Sequence, residues 1–231
     1  MRNPRILSDG ATYHVYFRTN RSEFSLTEDW VKAMLLLVVT QAKKKYGFSL
    51  QSLCIMSNHV HMVIRPLATD EYEKWVKKKR RKAENQKVAD YRQADDFRFQ
   101  GNLSKIMQYI LGVFAQKYNR KLEIHGHFWG DRFKSAILAS IMRFLRAIRY
   151  IDDNPVVARM VQMPEEFQYG RNWLIAHGPP GLIDDLEKSK QSFFERNRQL
   201  TAHVLNSDEE SSSDQKDKCA DLLITRNPTD Q

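Results

Sequence analysis

The run Cys54-Ile55-Met56-Ser57-Asn58-His59-Val60-His61-Met62-Val63-Ile64 constrains the fold more than any other part of the chain. Residues that favour strands flank one polar break, Ser57-Asn58. The segment therefore reads as a hairpin: a strand over Phe48 to Met56, a two-residue turn, and a return strand over His59 to Arg65. Successive strand side chains point to opposite faces. His59 and His61 emerge together on one face, and Val60 and Met62 point to the other. Two neutral imidazoles that close are a natural pair of ligands for a divalent metal. The plainer alternative is a pair of half-exposed strand histidines.

The remaining sequence supplies partners for that hairpin. Thr12 to Arg18 reads as a strand, with Asp9-Gly10 as a turn before it. Ser25-Leu26-Thr27-Glu28 has the spacing of a capping box, and Trp30 to Lys45 reads as a helix with a broad apolar face, ended by Tyr46-Gly47. A second helix is expected over Asn102 to Lys121, with Asn102 as cap and Ile106, Ile110, Val113 and Tyr109 or Phe114 on its apolar side. Ala136 to Leu138 is a candidate fourth strand, and Ile141 to Asn154 a third helix stopped by Pro155. Between the hairpin and the second helix lies a charged insertion, Asp70 to Gln100, containing Lys77-Lys78-Lys79-Arg80-Arg81-Lys82. It reads equally as a basic arm for phosphate and as a solvated helical insertion, and its aromatics (Trp75, Tyr91, Phe97, Phe99) suggest docking. The organisation expected is a main domain over 1–175, a helical extension over 176–205 and a disordered acidic tail over 206–231.

Charge narrows the partners. The chain of 231 residues carries +9, yet residues 206–231 hold seven acids against three bases, a local −4, so the rest carries +13. That balance points to a polyanion, nucleic acid first. Cys54 and Cys219 are too few and too far apart for a disulfide framework or a cysteine zinc site, which fits a reducing cytosol. No signal peptide follows Met1, and the most apolar stretch, Ala33 to Val39, is too short to span a bilayer. The expectation is a soluble cytoplasmic protein without a membrane partner.

The third helix separates function from packing. Ile141, Phe144, Leu145 and Ile148 follow the i, i+3, i+4, i+7 pattern of a buried stripe. At about 100° per residue, Arg143, Arg146 and Asn154 all fall within about 40° of Tyr150, on the opposite side. Tyr150 thus stands on a polar face between two arginines and an amide. A metal held by His59, His61 and one oxygen ligand would polarise a scissile phosphate, and Tyr150 would attack it to give a covalent phosphotyrosine. Asn154, one turn beyond, could offer that oxygen or could simply end the helix before Pro155. The arginines would hold neighbouring phosphates.

At these residues the chain resembles the single-tyrosine HUH transposases, which include insertion-sequence transposases and REP-associated tyrosine transposases. Three blocks carry the likeness: Asn58-His59-Val60-His61-Met62-Val63, Phe128-Trp129-Gly130-Asp131-Arg132-Phe133-Lys134-Ser135 and Arg149-Tyr150-Ile151-Asp152-Asp153-Asn154-Pro155-Val156. Thr12-Tyr13-His14-Val15 followed by Arg18-Thr19-Asn20-Arg21 also looks like the family's opening strand. The resemblance covers roughly residues 1–175. It implies an α+β, ferredoxin-like antiparallel sheet with helices on one face, the HUH endonuclease fold. It also implies Mg2+ or Mn2+, single-stranded DNA with hairpin or palindromic ends, and a 5′-phosphotyrosine intermediate. By motif, His59 and His61 are ligands and Tyr150 the nucleophile. Asn154 stands where mobile insertion-sequence members typically have glutamine, and looks more like the REP-associated branch. Candidate DNA contacts are Arg143, Arg146, Arg132, Lys134, Arg18 and Arg21.

Two features depart from the family pattern: the long 70–100 insertion, and Val157-Ala158-Arg159 after the Asn-Pro pair. A homodimer is a further expectation, from open sheet edges that tend to find another strand and from dimeric relatives. The alternatives are a catalytically silent, domesticated DNA-binding protein of the same fold and an RNA-binding ferredoxin-like module. The latter would stack bases on Tyr13, Tyr16 and Phe17.

Overall fold

Alternation in the first strand, β1 (Tyr13–Arg18), sets the two faces of the sheet. Tyr13, Val15 and Phe17 are buried in the main core, and His14, Tyr16 and Arg18 take the other side. In this computed structural model, which describes residues 7–85 and 103–196, β1 leads to α1 (Asp29–Tyr46), β2 (Ser49–Ile55) and β3 (His59–Arg65). There follow α2 (Thr69–Asn85), α3 (Leu103–Leu122), β4 (Lys134–Ile137), α4 (Ile141–Val157) and α5 (Arg171–His177). The chain divides into two units, 1–190 and 191–231, and residues 191–196 of the second are helical. The expected cap Asn102, most of the insertion beyond residue 85, the helix beyond 196 and the acidic tail lie outside the described residues.

The four strands pair in the order β2-β3-β1-β4, every neighbour antiparallel. Each half is a strand, a helical crossover and a strand, with the other half's first strand inserted between. This is the expected α+β, ferredoxin-like arrangement. Leu35, Val38, Val39 and Ala42 of α1 and Ile106, Met107, Ile110 and Phe114 of α3 close the core over Val15, Val60 and Met62. The helices are not confined to that face, however. α4 packs on β2 and β3 from the opposite side, against the histidines.

Local departures from the sequence reading have physical causes. Ser25 does not cap α1: the N-cap is Glu28, with no side-chain cap bond, and Asp29 places its charge in the first turn instead. β4 begins two residues early, at Lys134. On α4 the buried residues are Phe144, Ala147, Ile148, Ile151 and Pro155, so the stripe runs on past the expected one. Pro155 does not stop the helix. It lacks an N–H and falls in the last turn, and Ala158 N–H still reaches the Asn154 carbonyl at 3.0 Å. α5 was not expected. Arg171 ties it back: its guanidinium meets Asp152 of α4 at 3.4 Å and donates to the Gln51 carbonyl at 3.1 Å.

The outer edge of β2 is covered by the chain itself. Ile55 N–H donates to Tyr169 O at 3.2 Å, Asp184 N–H to Leu50 O at 2.8 Å, and Leu50 N–H to the Asp184 carboxylate at 2.6 Å. Lys43 also bonds that carboxylate, at 2.7 Å. The open-edge argument for a homodimer therefore fails at β2, and the other edge, β4, is only four residues long. Among the described residues no helix is long and apolar enough to cross a membrane.

The described start of the charged insertion docks through Trp75. Gly47 ends α1 with φ of 71°, and a Cβ there would lie 2.5 Å from Trp75 Cε2. Lys79 turns back over the Trp75 ring, 4.3 Å from its centroid, and bonds the Lys44 carbonyl, whereas Lys77, Lys78 and Arg81 are exposed. Gly47→Ala should therefore combine about 1–2 kcal/mol of left-handed strain with about 1–3 kcal/mol of overpacking. Thermal denaturation should show a loss of several degrees, of which Trp75→Ala in the same chain recovers only the packing part. An unchanged melting temperature in Gly47→Ala would mean that Trp75 is not seated there.

Candidate active site

The β1–β3 register assembles the centre of the site. Tyr16 lies opposite His61 and Arg18 opposite His59, while Lys134 of β4 lies opposite Tyr16. Paired residues share a face, so β1, β3 and β4 bring His14, Tyr16, Arg18, His59, His61 and Lys134 to one surface. The ring centroids of His59 and His61 are 5.0 Å apart, and Tyr16 packs beside both, at 5.6 and 5.0 Å.

α4 delivers Tyr150 and Asn154 to the same spot. The Tyr150 ring lies edge-on to His61 at 5.5 Å and to His14 at 6.0 Å, with the residue 55% exposed. Asn154 Nδ2 is 3.5 Å from His61 Nε2, and the same side chain hydrogen-bonds His59. Because the helix continues through Pro155, Asn154 is a helical position whose side chain engages the histidines, and not a helix end. Arg143 and Arg146 are exposed on α4, and Arg149, also exposed, pairs with Asp153 at 3.5 Å. Arg132 is exposed just before β4, and Arg21 is exposed in a turn after β1. The strands and α4 thus bring Tyr150, His59, His61 and Asn154 together. Arg18 and Lys134 stand at their margin.

Burial keeps the imidazoles neutral. It pushes His61 down to about 3, with the neighbouring His14 and His59 adding to the effect. Burial also lowers His59, partly offset by a hydrogen bond with the Asn154 side chain, and it lowers His14. At neutral pH these rings offer lone pairs and carry no protons that a cation would have to displace. No group of three or more His, Cys, Asp or Glu side chains among the described residues is arranged to hold a metal. The set that fits a divalent ion is two imidazoles plus the Asn154 amide, which would turn its oxygen to the ion in place of the Nδ2 that now lies near His61. Two nitrogens and one oxygen make a softer set than the all-oxygen shell Mg2+ prefers, and favour Mn2+ of the two.

Sequence reasoning missed His14, Tyr16 as a wall of the site, and Asn58 as more than a turn residue. The signal for the first two was the period of two in β1. The Phe128–Ser135 block proves to be a clamp. Asn20 N–H bonds Phe128 O at 2.8 Å and Gly130 N–H bonds Arg18 O at 3.1 Å, while Trp129 Nε1 donates to Leu111 O at 3.0 Å. A Cβ on Gly130 would lie 2.9 Å from Thr19 O, so only glycine allows that approach. Tyr13 and Phe17 are core residues at 1% and 2% exposure, which removes the stacking platform an RNA-binding module would need.

Comparison with known proteins bears on the fold. No curated protein sequence matches the chain. Among solved structures, a REP-associated tyrosine transposase bound to a REP hairpin superposes with a TM-score of 0.55 at 15% identity, covering 80% of this chain and 92% of that one. A protein described as a transposase from Deinococcus radiodurans R1 gives 0.38 at 15% identity, over 66% and 97%. The first likeness is one of fold. Residues 8–94, which contain β1 and the histidine hairpin, match the family described as IS200-like transposases.

Proposed function

We propose that the chain cuts and rejoins one strand of DNA through Tyr150. The observation that carries this reading is the convergence of Tyr150 and Asn154, on one face of α4, upon His61, about ninety residues earlier in the chain. The Tyr150 oxygen attacks the scissile phosphorus and loses its proton to solvent, which its half-exposed position allows. The bond from phosphorus to the 3′ oxygen breaks, and that oxygen takes up a proton. The product is a 5′-phosphotyrosine and a free 3′ hydroxyl, and attack by a 3′ hydroxyl of another strand reverses the step. His59, His61 and Asn154 would hold Mn2+ or Mg2+, which when bound supplies positive charge at the phosphate oxygens. Arg18, Lys134, Arg132, Arg21, Arg143 and Arg146 would bind flanking phosphates, which position the strand without reading its sequence. The fold relative bound to a REP hairpin supports single-stranded DNA with a hairpin as the substrate class.

With Mn2+ present, the protein should form an adduct with a hairpin-bearing single strand that survives a denaturing gel and is absent in Tyr150→Phe. Adduct at wild-type level in that variant would remove Tyr150 from the reaction, and binding without any wild-type adduct would favour a silent DNA-binding protein. His59→Ala and His61→Ala should each lower cleavage by about 100-fold or more, with DNA affinity in a filter assay largely kept because phosphate contacts supply most of it. Normal cutting by both would make the pair structural. Mn2+ should support cleavage at lower concentration than Mg2+, and the reverse order in a metal titration would argue against the two-imidazole set. Changing the exposed Lys77, Lys78 and Arg81 to Gln should flatten the plot of log K against log salt by up to about 0.7 for each phosphate that is no longer neutralised. An unaltered slope would leave α2 a solvated surface.

A further inference from the structure

We infer that Asn58 and His14 are positioning residues that lock His59 and His61 in the Nδ1–H tautomer, which leaves the lone pair of each ring on Nε2. The inference rests on the metal-ligand reading above for its purpose, but its geometry stands apart from any metal.

For His59 the orientation follows bond by bond. Asn58 Nδ2 lies 3.2 Å from the backbone carbonyl of Ser22, which can only accept, so the amide must present its NH2 there. Asn58 Oδ1 is then fixed toward His59 Nδ1, at 2.7 Å, and that ring nitrogen must be the donor. The carbonyl of Ser22 is itself held in place. Arg21 and Ser22 both have left-handed φ, 51° and 56°, unusual for residues with side chains and a sign of a constrained local geometry. Thr19 secures both sides of this contact: its N–H donates to Asn58 O at 2.9 Å, and its hydroxyl bonds Asn58 O at 3.1 Å and Glu23 O at 2.5 Å. The Phe128–Gly130 clamp on Arg18 and Asn20 holds the turn from its other side.

For His61 the partner is His14, whose Nε2 lies 3.0 Å from His61 Nδ1 with the rings stacked at 5.2 Å. Asn154 Nδ2 approaches the other nitrogen, His61 Nε2, at 3.5 Å. A donor aimed at Nε2 requires a lone pair there. His61 then carries its proton on Nδ1 and donates that N–H to His14 Nε2 as a hydrogen bond, so that His14 carries its own proton on Nδ1. A turn asparagine and a strand histidine with only structural roles would not need to engage the same nitrogen of two adjacent imidazoles. Holding the outer nitrogen of a ligating histidine fixes both tautomer and ring orientation.

Long-range 1H–15N correlation spectra of metal-free, 15N-histidine-labelled full-length protein test this directly. In the wild type, His59 and His61 should each show a protonated Nδ1 and a bare Nε2. Asn58→Ala should release only His59 into a tautomer mixture, and His14→Phe only His61. Each should weaken Mn2+ binding in calorimetry by about 10–100-fold at an unchanged melting temperature. His14→Gln, which keeps an acceptor, should restore both readouts and serves also if phenylalanine disturbs β1. A wild type protonated on Nε2 at either ring, or a folded Asn58→Ala with unchanged tautomer and Mn2+ affinity, would overturn the assignment. A wild type with both Nδ1–H tautomers but no Mn2+ binding would uphold the positioning roles and sink the metal reading instead.

Discussion

Everything at the site depends on the register between β1 and β3. Tyr16 opposite His61 and Arg18 opposite His59 is a statement about the polar face, but the apolar face enforces it. Val15 and Phe17 of β1 and Val60, Met62 and Ile64 of β3 are all buried under α1 and α3. Each such side chain is stabilised by about 1.5–3 kcal/mol relative to exposure. A slip of one residue would turn that whole set outward and bring His59 and His61 into the core. The geometry of the reactive face is therefore held by residues that never touch it.

The second constraint is the seat of α4. Phe144, Ala147, Ile148, Ile151 and Pro155 bury one side of the helix, and the opposite side carries Tyr150 with Arg143 and Arg146. Asp152 and Arg171, both largely buried, join α4 to α5. Burial outweighs the guanidinium here and raises the Asp152 carboxyl to about 6, so the pair does little for stability and more for fixing where the helix lies. A proline in the last turn extends that rigidity. The helix reaches Asn154 as a regular turn, and Asn154 lies one turn beyond Tyr150 because the spacing of four residues demands it.

Much of this was readable from residue order. The histidine pair, its hairpin and the exposed tyrosine follow from periods of 2 and 3.6, which are local properties of the backbone. The antiparallel sheet and its strand order were legible through the resemblance. What the sequence hid depends on contacts between distant segments. His14 looked like an ordinary strand residue because its importance comes from lying beside His61, 47 residues away. Asn58 looked like a turn former because the Ser22 carbonyl that orients its amide belongs to another loop. α5 escaped notice because it is short, and the role of Tyr169 and Asp184 because it lies in bonds to the distant edge of β2. Pro155 misled for a related reason: a proline costs a helix most in its interior, and this one sits where few backbone bonds remain to be broken.

The distribution of charge on this face suits the proposed reaction. A surface that must attract a polyanion needs cations, and a centre that must hold a metal ion cannot be cationic itself. Here the permanent charges of Arg18, Lys134, Arg143 and Arg146 are exposed at the rim, where desolvation costs little. The histidines lie deeper, and burial keeps them uncharged where free imidazoles would begin to charge on mild acidification. Tyr150, more exposed than either histidine, stands between these zones. On the proposed reaction, a strand drawn in by the rim meets the nucleophile before the metal site, and the phosphate held between them is the one that both can reach.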